Sequence, residues 1–274
     1  MQSKTIVITG AGGVLCGEFA RFLAEQGHKV ALLDLNGDSV RRLAEEICTA
    51  GGKAIGIQND VLDKDSLKAA YKEIADRFGR VDVLVNGAGG NHPKGTTTGE
   101  YYNKDDVDAE GVVSFFDLDP EGIKFVFNLN YLGTLLPTQV FAGDITEAKG
   151  SIINISSMSA FNPLTKVLAY SGAKAAVSNL TEWLAVHFAN AGVRVNAIAP
   201  GFFVTAQNKA LLFDQDGNPT KRTEKILAAT PMGRFGEPKE LLGTLKWLVD
   251  EEQSGFVTGT VIPVDGGFAA YAGV

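Results

Sequence analysis

Positive charge is in deficit in this 274-residue chain: 25 Lys and Arg stand against 32 Asp and Glu, a net charge of -7. Nucleic acid and anionic membrane surfaces would be repelled at long range, so neither is expected as a partner. A few local basic side chains can still reverse the field inside a cleft, which leaves anionic small molecules open. Cysteine is nearly absent. Cys16 and Cys48 lie far apart and offer neither a metal motif nor a disulfide framework, so a reduced compartment is the simplest reading. His92 and His187 are isolated, with no Cys or carboxylate cluster at ligand spacing, and no metal site is expected. No apolar run approaches the ~20 residues that span a bilayer. Met1 to Lys4 lead straight into a strand-like segment, without the charged and apolar parts of a leader. A cytoplasmic location is expected. Repeats, low-complexity tracts and linkers are missing too, which favours one domain over 1–274.

What remains is an ordinary globular composition, 45% apolar and 21% charged, enough to bury a full core. The first part alternates between two periods. Thr5 to Thr9, Lys29 to Leu35, Lys53 to Gln58 and Val81 to Val85 are short apolar runs that read as strands. Between them, Glu18 to Gln26, Ser39 to Ala50 and Ser66 to Phe78 carry helical periodicity. Continuous apolar strands separated by helices predict a parallel sheet covered on both faces, a doubly wound α/β fold of Rossmann type. Further on, helices are expected over Phe125 to Phe141, Leu168 to Asn190 and Lys239 to Val249. Strands are expected over Ser151 to Ile155, Val193 to Ala199 and Thr260 to Val264. Two stretches break the pattern. Residues 91–121 are polar and have no convincing strand; a loop of that length in a compact domain is usually functional or disordered. Residues 202–238 read as irregular and contain a strong turn signal, Asp216-Gly217-Asn218-Pro219.

Open parallel sheets bind ligands beyond the carboxyl ends of their strands. The first such end carries Thr9-Gly10-Ala11-Gly12-Gly13-Val14-Leu15. Glycines there let the backbone approach a pyrophosphate, which the following helix N-terminus stabilises. Asp34 ends the second strand, where a carboxylate can accept both hydroxyls of an adenosine ribose and would repel a 2′-phosphate. No Arg stands beside it in Leu33-Asp34-Leu35-Asn36, so NAD is favoured over NADP. Asp34 could instead cap the next helix, a role open to Asp38 or Ser39. Asn59-Asp60-Val61 and Asn86-Gly87-Ala88-Gly89 end the third and fourth strands. The first offers a carboxylate to an adenine amino group, and the second leaves room for a flat ring and ribose.

Tyr170 and Lys174 lie one helical turn apart, so they share a face. A nearby cation favours the phenolate and is expected to lower a tyrosine pKa towards useful range. The bland alternative is a surface Tyr packed over a Lys stem. Ser157 follows the fifth strand and precedes Tyr170 by 13 positions (170 − 157). That spacing selects it over Ser156 and Ser159 as the hydroxyl that polarises a carbonyl oxygen beside the tyrosine.

Together with Asn130-Tyr131-Leu132-Gly133, Tyr170-Ser171-Gly172-Ala173-Lys174, Asn196, Pro200-Gly201 and Asp265-Gly266-Gly267, these pieces resemble the short-chain dehydrogenases/reductases over essentially the whole chain. The resemblance implies a Ser157–Tyr170–Lys174 catalytic group, with Asn130 completing a water-mediated proton relay. It implies that Lys174 also holds the nicotinamide ribose and that Pro200 to Thr205 line the nicotinamide amide. Contacts to NAD are therefore expected from Gly10, Gly12, Gly13, Val14, Leu15, Asp34, Leu35, Asp60, Val61, Asn86, Ala88, Gly89, Tyr170, Lys174, Pro200, Gly201, Phe203 and Thr205. The family also implies a homotetramer, built on the long helix carrying Trp183 and on the last helix and strand. One departure is visible. The family's first turn usually carries glycine where Val14 and Cys16 stand here.

Asn86 and Asn130 are 44 positions apart (130 − 86), more than ordinary members need, so residues 91–121 contain an insertion and 202–238 form a small substrate lobe. The insertion opens with Asn91, His92 and Lys94, whose amide, imidazole and ammonium suit a polyol carrying a carboxylate. A merely solvated loop is the alternative. With Phe202 to Asn208 and Gly267 to Tyr271, this segment resembles a narrower group, the D-mannonate oxidoreductases or fructuronate reductases. That likeness implies interconversion of D-fructuronate and D-mannonate by hydride transfer at C5. Lys94 is the first candidate for the carboxylate, with Arg234, Lys209 and Arg222 as alternatives. Substrate contacts are otherwise expected from Asn91, His92, Ser157 and Tyr170. Another sugar-acid or polyol dehydrogenase, of gluconate or sugar-alcohol type, is the competing enzyme. A non-catalytic dinucleotide sensor is the competing class, which fold alone does not exclude.

Overall fold

The computed structural model describes residues 3–205 and 209–273. The chain runs through β1 (Thr5–Thr9), α1 (Val14–Glu25), β2 (Lys29–Asp34), α2 (Gly37–Thr49), β3 (Lys53–Gln58), α3 (Lys64–Phe78) and β4 (Val83–Asn86). It continues through α4 (Pro120–Phe127), α5 (Gly133–Ala148), β5 (Ser151–Ile155), α6 (Leu168–His187), β6 (Arg194–Pro200), α7 (Lys209–Leu212), α8 (Lys221–Ala228), α9 (Leu242–Val249), α10 (Glu251–Ser254) and β7 (Val261–Val264). The strands form one sheet in the order β3-β2-β1-β4-β5-β6-β7. Every pairing is parallel. The doubly wound α/β fold is the one expected.

Side-chain alternation along the strands divides the interior into two cores. Ile6 and Ile8 of β1 pack with Phe19 and Leu23 of α1 and Leu245 and Leu248 of α9 on one face. Val7 points the other way, to Leu67 and Ile74 of α3, Phe141 of α5 and Leu184 of α6. Burial on both faces is why the strands read as unbroken apolar runs rather than alternating ones.

Helix ends differ from the sequence reading in instructive ways. α1 starts at Val14 instead of Glu18, because the Gly-rich turn passes directly into helix; Gly13 caps it with no side-chain bond. The helix expected over Phe125 to Phe141 begins earlier, at Pro120 after the Asp119 cap, and ends later, at Ala148. In between, Asn128–Leu132 widens into a π-turn in which the Gly133 amide reaches back to the Asn128 carbonyl. Lys239 to Val249 is a 3-10 turn at Pro238–Leu241 followed by α9. The lobe 202–238 is less irregular than expected, since it holds α7 and α8. Its turn signal is realised: Asp214 accepts from the amides of Asp216 (2.9 Å) and Asn218 (2.8 Å), and Gly217 sits at φ 83°. Residues 91–121 contain no strand, and three 3-10 turns order them, at Pro93–Gly95, Lys104–Asp106 and Phe115–Asp117. Among the described residues no helix is long and apolar enough to cross a membrane.

Candidate active site

Because all seven strands run the same way, their carboxyl ends share one rim, and the connections diverge at β1 and β4. A cavity of about 630 Å³ opens there. Its floor is glycine for steric reasons. Gly10 has φ 66°, and a Cβ on it would come within 2.8 Å of the Ala88 backbone. A Cβ on Gly12 would stand 3.0 Å from the Asp34 carboxylate. The Gly12 amide donates to Asp34 Oδ2 (3.0 Å) and the Asn36 amide to Oδ1 (2.9 Å), so the carboxylate is fixed while each oxygen keeps acceptor capacity. Asp34 does not cap α2; the Asn36 side chain does, accepting from the Ser39 amide at 3.1 Å.

Of the expected cofactor residues, Gly10, Gly12, Gly13, Val14, Leu15, Asp34, Leu35, Asp60, Val61, Ala88, Gly89, Tyr170, Lys174, Pro200, Gly201, Phe203 and Thr205 all line this cavity. Asn86 does not. Its amide donates to Asn154 Oδ1 (2.9 Å) and Thr138 Oγ1 (3.1 Å), stitching β4 to β5 and α5. The departures in the first turn also resolve. Cys16 is buried with its Sγ in the space a Cβ on Gly87 would occupy, so a larger residue at 16 is matched by glycine at 87. Burial pushes the Cys16 thiol up to about 12, with Lys174 opposing. It is a packing group, not a nucleophile.

Ser157 leaves β5 and caps the turn Met158–Ala160. Its Oγ accepts from the Ser159 amide (3.2 Å) and hydroxyl (3.0 Å), which holds it at the rim. Ser156 is otherwise engaged, 2.8 Å from Ser178 Oγ. The Lys174 ammonium donates to the Ile155 carbonyl at 2.7 Å and lies 5.8 Å from the centre of the Tyr170 ring. Burial draws the Lys174 pKa down to about 8, against the pull of Cys16. The expected lowering of the Tyr170 pKa is not realised. Burial raises it, and the Ser157 hydroxyl is the group that opposes that rise. The ammonium bonds a main-chain carbonyl instead of the phenol, and desolvation disfavours the phenolate.

Asn130 is fully buried and lies behind the cavity wall. Its Nδ2 donates to the carbonyls of Gly90 (2.8 Å) and Val126 (2.7 Å), and its Oδ1 accepts from the Gly90 amide (3.2 Å). The side chain thus pins the segment that follows β4. A Cβ on Gly89 would meet both Asn130 Oδ1 (2.7 Å) and Lys174 Nζ (3.0 Å), so glycine there is what lets the two groups approach.

The opening of the insertion is placed elsewhere. Asn91 Nδ2 donates to Thr96 Oγ1 (3.0 Å), and His92 Nδ1 accepts from the Lys94 amide (3.2 Å). Lys94 pairs with Asp119 at 3.2 Å and is mostly exposed. None of the three lines the cavity. Arg234 is held by Glu240 through both terminal nitrogens (2.8 and 2.6 Å). Lys209 opens α7, and Ala206, Gln207 and Asn208 lie outside the described residues. Arg222 borders a second cavity, behind Phe202. The cavity wall also includes Gly87 and Phe202, which lie inside expected cofactor segments, and Cys16, Asn36, Ser39, Asn59, Gly90, Leu129, Ile155 and Ser156, which were not singled out as contacts. Most are immediate neighbours of selected residues; Leu129 carries no local signal. His187 stacks on Trp183 (centroids 4.6 Å apart) on an exposed face of α6. Among the described residues no group of His, Cys, Asp or Glu could hold a metal ion.

The profile of the short chain dehydrogenases matches residues 4–216. The chain belongs to that family. An uncharacterized oxidoreductase of Haemophilus influenzae is 58% identical, covering 100% of this chain and 96% of its own. The uncharacterized oxidoreductase UxuB of Bacillus subtilis is 54% identical, with 100% and 98% coverage. Among solved structures, a candidate D-mannonate oxidoreductase from Haemophilus influenzae with bound NAD superimposes at a TM-score of 0.96, with 57% identity and coverage of 100% and 98%. A gluconate 5-dehydrogenase from Burkholderia cenocepacia, solved with NADP and tartrate, gives 0.83 and 28% identity over 99% and 97%. The chain is therefore a short-chain oxidoreductase closely related to a D-mannonate oxidoreductase group.

Proposed function

We propose that this protein interconverts D-fructuronate and D-mannonate with NAD(H) as the redox partner. The observation that carries the reading is the placing of Ser157, Tyr170 and Lys174 around one cavity whose far end is marked by the fixed carboxylate of Asp34. The likeness to the NAD-bound candidate D-mannonate oxidoreductase supports the choice of cofactor and substrate. The residues present fit a dinucleotide. Asp34 has acceptor capacity left for two ribose hydroxyls, and the uncapped α1 N-terminus at Gly13 suits a pyrophosphate. Small residues at 88 and 89 leave space for ribose and ring.

When bound, NADH supplies the hydride for C5 of fructuronate. Ser157, its hydroxyl steadied by Ser159, donates to the substrate carbonyl oxygen. Tyr170 gives its proton to the alkoxide that forms there, and in the reverse direction takes it back. The raised pKa of Tyr170 keeps the phenol protonated for reduction. Lys174, tied to the Ile155 carbonyl, orients the ribose edge and places positive charge behind the tyrosine. Asn130 holds Gly90 and so keeps the floor under Lys174 in place.

A substrate panel tests the assignment. With NADH absorbance as readout, turnover of fructuronate should exceed that of D-fructose and of unrelated ketones; equal rates would defeat it. The likeness to a gluconate 5-dehydrogenase makes 5-ketogluconate the comparison to include.

A further inference from the structure

Behind the Phe202 ring, which also borders the cofactor cavity, lies a second cavity of about 390 Å³. It is walled by Leu164 to Lys166 from the segment leading into α6, by α8 from the lobe, by Glu100 from the insertion and by Phe268 near the end of the described chain. Four cations, Lys166, Lys221, Arg222 and Lys225, meet one anion, Glu100, at its rim. In a chain of net charge -7, this is a local reversal of sign. Glu100 is spent on Lys225, whose Nζ lies 2.9 Å from both carboxylate oxygens. Among the described residues, no carboxylate comes within ion-pair distance of Lys166, Lys221 or Arg222. The other wall is apolar, from Leu164, Ile226, Ala229 and Phe268, which strengthens any ion pair formed against it.

Lys166 adds a second, independent signal. Its backbone sits at φ 71°, in the left-handed region that costs a non-glycine residue about 1–2 kcal/mol. The Thr97 amide binds its carbonyl at 3.0 Å, and the Leu164 amide binds Ser171 Oγ at 3.2 Å, so the strained segment is braced against the start of α6. Strain retained beside a cavity is a pointer to function. Lys166 stands four residues before Tyr170 in sequence, just ahead of α6.

We propose that Lys166 and Arg222 receive the carboxylate of the sugar-acid substrate in this cavity, with its carbon chain passing the Phe202 ring. The proposal rests on the sugar-acid reading above and sharpens it. It replaces Lys94, already paired with Asp119, and Arg234, already paired with Glu240. Glu100 is held by Lys225 and also feels the charge of Lys166 and Arg222, so one carboxylate stands against four cations at this rim.

The test compares D-fructuronate with D-fructose, which carries a hydroxymethyl group where fructuronate carries the carboxylate. The variants are Arg222→Gln and Lys166→Asn, the latter because asparagine tolerates the left-handed backbone. Each should raise KM for fructuronate roughly tenfold or more, while kcat/KM for fructose and the Kd for NADH stay near wild type. Arg222→Lys should recover part of the loss. If the wild type prefers fructuronate and both variants keep that preference, the site is overturned and the substrate assignment stands. If the preference survives in both variants but is lost in Lys94→Ala, the carboxylate belongs to Lys94 instead. A wild-type enzyme with no preference for the acid overturns the substrate assignment, and this site with it.

Discussion

At the scale of single residues, the site is a contest between burial and proton chemistry. Tyr170→Phe removes the proposed proton donor and little else. Turnover should fall by a factor of about 10² to 10⁴, with NADH affinity largely kept, as fluorescence titration would show. Lys174 has a consequence for stability as well. Its pKa is drawn from the ordinary 10.5 to about 8 by burial, so between those values the unfolded chain holds a proton that the folded chain lacks. Stability from this group therefore rises as pH climbs from about 8 to about 10.5. The penalty is complete below the folded value and gone above the unfolded one. The span corresponds to about 3 kcal/mol. A Lys174→Met variant should lose that segment of the pH–stability curve, measured by urea denaturation of the cofactor-free protein; parallel curves would contradict it. These residues were legible from spacing and motif. The direction of the Tyr170 shift was not, because burial sets it, and burial comes from elements packed together only in the fold.

The elements show what kind of information a motif omits. Val14 and Cys16 look like defects in a glycine turn, yet α1 starts on schedule for its ligand and Cys16 packs into room left by Gly87. Gly87→Ala should therefore destabilise the protein by about 1–3 kcal/mol through overpacking. Adding Cys16→Gly to that variant should recover part of the loss in thermal or chemical denaturation, because a Cβ at 87 would still stand 2.8 Å from the Thr9 carbonyl oxygen. The π-turn at Asn128–Leu132 was equally invisible, since helical periodicity does not register one extra residue per turn. That turn sets Asn130 facing Gly90, and the role of Asn130 as a brace emerges from it. The insertion was visible as an interval too long between Asn86 and Asn130. Where its side chains point was not, because Asp119 and Phe125, which hold Lys94 and neighbour His92, have no distinguishing pattern.

For the whole molecule, the parallel, doubly wound sheet followed from the alternation of apolar runs with helices, and the shared rim follows from the parallel strands; the strand order did not come from that alternation. Cofactor preference belongs to this scale because residues from the ends of most strands line the cavity. Saturating NADH, at about 100 times its Kd, should stabilise the fold by about 2.7 kcal/mol. NADPH at equal concentration should do far less, since its 2′-phosphate would meet the Asp34 carboxylate. A thermal-shift titration with both would decide it, and equal shifts would remove Asp34 from the role.

The sheet order has a further effect, on how the chain assembles. β1 is an interior strand, yet its two neighbours arrive at different times: β2 follows after one helix, whereas β4 comes only after two further helices and β3. During synthesis a three-stranded half-sheet can therefore form with one flank of β1 open, an apolar strand edge of the kind that recruits other chains. The step that ends this exposure is the arrival of Val83–Asn86, which leads within three residues to Gly89, the glycine beside Lys174. The open edge then passes to β4 until β5 joins it, so protection of the sheet comes later than formation of the glycine segment beside Lys174.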